Sequence, residues 1–166
     1  MALIDGMLQE LEQEAQTTRR VLERVPDDQL AWRPHEKART LGELAMHVAI
    51  VPGAVAELVA TQSTVQAPKF SDPRPTSASE LIPALDESIA KAKKILGGMD
   101  DDALMATWRM MKGERELFAV PRVAMLRSIM LNHWYHHRGQ LTVYLRELDV
   151  PIPSVYGPSA DENPFA

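Results

Sequence analysis

His133-Trp134-Tyr135-His136-His137-Arg138-Gly139-Gln140 holds three of the chain's five histidines, and two of them, His133 and His137, stand four residues apart. On a helix, positions i and i+4 lie one turn apart on the same face, with Cβ atoms about 5–6 Å from each other. Two imidazoles so placed can share one metal ion. The flanking residues support the helix. Starting from Pro121, which suits a first turn, Leu126, Ile129, Met130, His133, His137, Leu141, Tyr144 and Leu148 recur at helical spacing as far as Asp149-Val150-Pro151. This predicts a last helix of roughly 28 residues, about 42 Å long.

On a wheel turning about 100° per residue, the apolar face of that helix centres near Leu126 and Tyr144. His133 and His137 fall close to its centre and His136 on its flank, which predicts an inward pair and a surface or interface histidine. Arg138 is expected to point away from the apolar face. Buried imidazole nitrogens need partners. Two solutions stand open: hydrogen bonds to core groups, of which Tyr144 and Gln140 are the few on offer, or a shared metal.

Three further helices are expected before this one. Ile4, Leu8, Leu11, Ala15, Thr18, Leu22 and Val25 form a helical seam that Pro26-Asp27-Asp28 ends. After a polar connection, Trp32 to Lys37, Thr40-Leu41-Gly42-Glu43 reads as a capping box. It opens a second helix with Leu41, Leu44, Val48, Val51 and Val55 on one face and His47 on its flank. Pro52 within it removes the donor to the Val48 carbonyl and predicts a kink one turn after His47. Gln62 to Ser79, with Pro68, Pro73 and Pro75, reads as a loop. Ser79 is the expected N-cap of a third helix carrying Leu81, Leu85, Ile89, Ala92 and Leu96, which Gly97-Gly98 stops. Asp100 to Val120 has no regular period and suits a short hairpin or an extended loop. The tail from Pro151 to Ala166, with four prolines, is expected to be disordered or a strand-like wrap.

His47, on a different helix of the same bundle, is then the natural third ligand beside His133 and His137, and three neutral imidazoles leave a coordination position open for chemistry. His35 lies in the polar connection and reads as a surface residue. Glu43, one turn before His47, is the best-placed carboxylate for a general base. Trp134 follows His133, so the His-Glu-x-x-His of zinc proteases is absent. So are the Glu-x-x-His pairs of di-iron bundles, a Walker loop and a Gly-x-Ser-x-Gly elbow.

The 166 residues suit a single domain, 1–166, with 45% hydrophobic and 25% charged residues. A net charge of −5 and scattered basic residues argue against a nucleic-acid partner. No apolar run approaches the roughly 18 residues of a membrane span, and the start of the chain lacks a secretory signal's pattern, so a cytoplasmic protein is expected. The absence of cysteine fits a reducing compartment and leaves metal binding to His, carboxylate or water.

Leu44-Ala45-Met46-His47, the His-x-x-x-His-Arg-Gly-Gln-Leu of His133 to Leu141, and Tyr156-Gly157-Pro158-Ser159-Ala160-Asp161-Glu162 together resemble the DinB-like superfamily of damage-inducible proteins. The resemblance spans nearly the whole chain. It implies an all-α, up-down-down-up four-helix bundle, usually a homodimer, that binds one divalent metal, zinc or nickel, through His47, His133 and His137. It also implies a small-molecule substrate. Some relatives are transferases or isomerases using a low-molecular-weight thiol, and others are described as metal-dependent hydrolases. A non-catalytic, dimeric metal-binding or stress protein is the alternative.

Overall fold

The computed structural model describes residues 2–67 and 73–166. Its framework is helical. α1 (Leu3–Leu22) buries Ile4, Met7, Leu11, Ala15, Thr18 and Leu22 along one stripe. Leu8 of the expected seam is only half-buried, and Met7 takes its place beside Ile4. α2 (Leu41–Thr61) starts from the capping box read in the sequence: the Glu43 amide donates to Thr40 Oγ1 at 3.2 Å, and the Thr40 amide donates to Glu43 Oε2 at 2.9 Å. α3 (Leu81–Leu96) follows a 3₁₀ turn, Ala78–Glu80. The cap there is Ser77, not Ser79, because the Ser77 hydroxyl accepts the Ser79 amide while Glu80 accepts the amides of Thr76 and Ser77.

Contacts between helices set their directions. Gly53 with Ser88, and Glu57 with Lys91, advance together, so α2 and α3 run parallel. Arg19 pairs with Asp86 and Glu12 with Lys93, so α1 opposes α3. The last helical run begins as α5 (Arg122–Met125), passes through a π-helical stretch (Leu126–Asn132), and continues as α6 (His133–Glu147). Arg122 meets Val59 and Trp134 meets Val48, so this run opposes α2. The result is the expected up-down-down-up bundle.

Between α3 and α5 lie the short α4 (Asp101–Met105) and a hairpin of β2 (Thr107–Lys112) and β3 (Arg115–Pro121). Gly113, at φ 61°, supplies the left-handed turn residue. The expected loop after α2 contains a strand, β1 (Thr64–Gln66), paired parallel to β2. Three residues are too few to show a period in the sequence. Pro68, also assigned to that loop, lies outside the described residues.

α2 corrects the reading of apolar runs. It is long and apolar enough to cross a membrane, with mean hydropathy 1.7 over 18 residues, and 61% of that window is buried inside the bundle. Its second apolar side faces α3, where the backbones approach closely. A Cβ added at Gly53 would come within 2.7 Å of the Ser88 carbonyl oxygen and 2.9 Å of its Cα.

The wheel of the last helix is also corrected. The buried side chains of α6 are Trp134, His137, Arg138, Leu141 and Leu145, so Arg138 points inward and Tyr144 lies on the flank. A π turn holds about 4.4 residues, so the stretch before His133 rotates everything after it by about one residue against a uniform wheel. Leu145 thereby takes the place that constant pitch assigned to Tyr144. Arg138, 1% exposed, pairs with Glu14 at 2.6 Å and donates to Thr18 Oγ1 at 3.0 Å and to the Tyr156 hydroxyl.

Tyr156 belongs to the tail, which is neither disordered nor a strand. It is an irregular wrap held by Glu162 to Arg20 and the Ser154 amide, and by Asp161 to Arg146 and the Ile152 amide.

Two substitutions test this packing. Gly53→Ala should lower unfolding free energy by about 1–3 kcal/mol in urea titrations, because the contact is to backbone that cannot yield and outweighs alanine's helix propensity. Arg138→Leu should cost about 3–5 kcal/mol by leaving Glu14 buried and unpaired, and adding Glu14→Leu should recover most of the loss.

Candidate metal centre

The capping box fixes the start of α2, and His47 follows one turn later, half-buried. His133 is the first residue after the π stretch, and His137 follows one turn on, 6% exposed. The three rings face one another edge to face, with centroids 5.4 Å apart for His47 and His133, 4.5 Å for His47 and His137, and 4.3 Å for His133 and His137. One ring nitrogen from each lies within 4.8 Å of the others, an arrangement that can hold a metal ion.

Distances and donor chemistry test the fit. The Nε2 atoms of His47 and His133 are 3.2 Å apart. Nitrogens bound tetrahedrally at about 2.0–2.1 Å from one ion stand roughly 3.3 Å from each other. His137 Nδ1 is 2.7 Å from Gln140 Oε1. An amide oxygen only accepts, so Nδ1 carries the proton and Nε2 keeps its lone pair. Burial pushes the His137 imidazole down to about 4, reinforced by the charges of His133, Arg39 and His136 and opposed by Gln140. Burial likewise lowers His133, with His47, His136 and Arg39 adding to the shift. Both rings are thus held neutral at pH 7, the form that ligates.

Of the two polar partners that the sequence offered, Gln140 meets the histidines. The Tyr144 hydroxyl instead reaches the Arg39 carbonyl at 3.4 Å, and its ring packs edge-on against Trp32. Glu43 is engaged elsewhere. One oxygen accepts the Thr40 amide and the other Arg74 Nε at 2.6 Å; the Thr40 bond, with Arg74's help, holds its carboxyl below the usual range. His136 is exposed, with its ring 5.1 Å from that of His137. His35 stays in its turn, accepting the Lys37 amide.

A cleft of about 430 Å³ opens beside His137, lined by Lys37, Ala38, Arg39, Leu44, Gln140 and Tyr144. The sequence reading placed Lys37 at the end of a polar connection and assigned Arg39 no role. Their signal was position: they immediately precede the capping box that places His47.

The DinB family model matches residues 2–163. An uncharacterized protein of Bacillus subtilis (strain 168), YrdA, is 28% identical over 159 residues, covering 96% of this chain and 91% of that protein. A solved DinB-like protein from Bacillus cereus is 26% identical with a TM-score of 0.71, over 92% of this chain and 97% of that one. A second, YjoA from Bacillus subtilis, shares the fold at 20% identity and TM-score 0.65, over 87% and 93%.

The depressed imidazoles predict an acid-sensitive apoprotein. Between about 4, the folded value of His137, and 6.5, its ordinary value, the unfolded chain binds a proton that the folded chain excludes. Stability from this residue is therefore present above 6.5 and lost as pH falls towards 4. It amounts to at most about 3 kcal/mol. Urea titrations of metal-free parent and His137→Gln should show a parent that falls more steeply through this window. Parallel curves would contradict the buried neutral imidazole.

Proposed function

The chain belongs to the DinB family, and on that premise we propose that it is a metal-dependent enzyme with His47, His133 and His137 as ligands of one zinc or nickel ion. The observation that carries the reading is the convergence of three imidazoles on one point, with Gln140 fixing the tautomer of His137. An enzyme is favoured over a purely metal-holding protein because the cleft reaches His137 and gives a small molecule a way in.

The reaction proposed is S-transfer. A low-molecular-weight thiol loses its proton to solvent, its sulfur bonds to the electrophilic carbon of a second small molecule, and that molecule's leaving group departs with the electron pair. Bound at the three imidazoles, a divalent ion supplies Lewis acidity that lowers the pKa of such a thiol. The thiol comes from outside, since the chain has no cysteine. His47, His133 and His137 contribute neutral nitrogens, and Gln140 keeps His137 aimed. Leu44 and Tyr144 form the apolar part of the cleft wall, while Lys37 and Arg39 set a positive field along it. Hydrolysis is the second reading. It is disfavoured because Glu43, the expected base, is committed to Thr40 and Arg74.

Elemental analysis of protein purified without a histidine tag tests the site. A stoichiometric zinc or nickel ion is expected in the parent and absent from His47→Ala and His137→Ala. No metal in the parent after incubation with both ions overturns the proposal. With metal present, metal-dependent alkylation of a small thiol supports the transferase. Ester or amide hydrolysis without thiol transfer points to the hydrolase, and neither activity to a metal-binding protein.

A further inference from the structure

The two helices that carry the imidazoles are tied together one residue beyond each ligand-bearing position. Pro52 has no N–H, so the Val48 carbonyl lacks the donor it would have in an uninterrupted helix. Val48 is fully buried, and an unmet carbonyl there would carry a desolvation cost. The missing donor comes from across the bundle: Trp134 Nε1–H donates to the Val48 oxygen at 2.7 Å. Val48 directly follows His47, and Trp134 directly follows His133. On the other side of α2, the Gly53 amide donates to Ser88 Oγ at 2.8 Å, and that hydroxyl donates to the Ile50 carbonyl at 3.0 Å. The proline therefore opens α2 to one partner on each neighbouring helix, and the partner on the α6 side sits beside the site.

Burial alone does not explain the indole bond. Trp108 is also fully buried, and its Nε1 has no partner among the described residues. The Trp134 donor meets an acceptor that Pro52 leaves without its intrahelical donor, and the π turn just before His133 sets the rotation that aims it. We propose that Trp134 is a positioning residue for the metal ligands, its bond to Val48 acting as a strut that fixes the separation of His47 from His133. The inference rests on the metal reading above, since it concerns the spacing of those same ligands. A ligand set is useful only when held within about 0.5 Å of its working geometry. A hydrogen bond one residue from two of the three ligands constrains that separation more directly than apolar packing, which lets helices slide.

Zinc affinity, measured by competition with a chromophoric chelator, and thermal midpoint are read together on four proteins: the parent, Trp134→Phe, Pro52→Ala and the double variant. Trp134→Phe removes the donor and should lower both the midpoint and the affinity, the latter about tenfold. Pro52→Ala restores an intrahelical donor to Val48, so in the double variant the midpoint should recover while the affinity stays about tenfold low. Affinity that recovers along with the midpoint, or that never falls in Trp134→Phe, overturns the strut and leaves the metal reading intact. Nickel replaces zinc as the probe if the parent binds only nickel, and a parent that binds neither ion defeats the metal reading and the strut with it. Should Trp134→Phe not fold, benzothienylalanine at position 134, which keeps the bicyclic shape and lacks only the N–H, carries the same prediction.

Discussion

The placement of Arg138 is the constraint on which the orientation of the last helix depends. A guanidinium taken out of water costs several kcal/mol unless every donor finds an acceptor and a counter-charge lies close. Here the Glu14 carboxylate, the Glu14 carbonyl, Thr18 Oγ1 and the Tyr156 hydroxyl meet it, and the rings of Tyr135 and Tyr156 lie 5.3 and 5.1 Å from its central carbon. Rotating α6 would strip these partners from a charge with no route to water. The helix is thus locked about its axis, and His137, the preceding residue, is locked facing α2. One turn of helix presents a cation to α1 and the tail, and an imidazole to His47.

Most of the bundle was legible because its seams obey simple periods. The first three helices, the Thr40 capping box and the candidate ligands could be read from residue spacing and turn chemistry, while Asp100 to Val120 left a short hairpin and an extended loop both open. What escaped the reading was non-local or broke the period. A wheel assumes constant pitch, so the π stretch displaced Tyr144 and hid the inward turn of Arg138. Glu14 reads as a solvated charge until Arg138 is brought to it from more than a hundred residues away. The tail has no period because its order comes from ion pairs to Arg20 and Arg146 and from Tyr156 lying over Arg138. β1 is too short to be seen without its partner strand.

The candidate site was legible as a set of ligands but not as an environment. Spacing placed His133 and His137 on one face and His47 on a facing helix. It could not show that Gln140 takes the proton-bearing nitrogen of His137, or that Glu43 is occupied by Thr40 and Arg74. These details decide the electrostatics. The chain carries a net charge of −5, yet the group that could hold an ion is three histidines with no carboxylate among them, as far as the described residues go. An ion held by neutral nitrogens keeps its full positive charge towards whatever approaches from the open side, whereas carboxylate ligands would cancel part of it. Such a site suits polarising a soft or weakly acidic group.

Three departures from regular structure lie within about two turns of these ligands. Pro52 interrupts the donors of α2 five residues after His47. The π stretch ends at Asn132, immediately before His133, and the buried cation Arg138 immediately follows His137. Each is unfavourable taken alone: a lost backbone bond, a strained helical register, a desolvated charge. Two of them are offset by partners on neighbouring helices: the Trp134 indole meets the Val48 carbonyl that Pro52 leaves open, and the Glu14–Thr18 face of α1 meets Arg138. A bundle that only had to bury apolar surface would gain nothing from such pairings, since leucine at all these positions would fold more simply. What the pairings provide is a fixed rotation and a fixed separation for the helices bearing His47, His133 and His137. Natural sequences depart from local rules where geometry matters more than stability, and here the departures cluster around the three imidazoles.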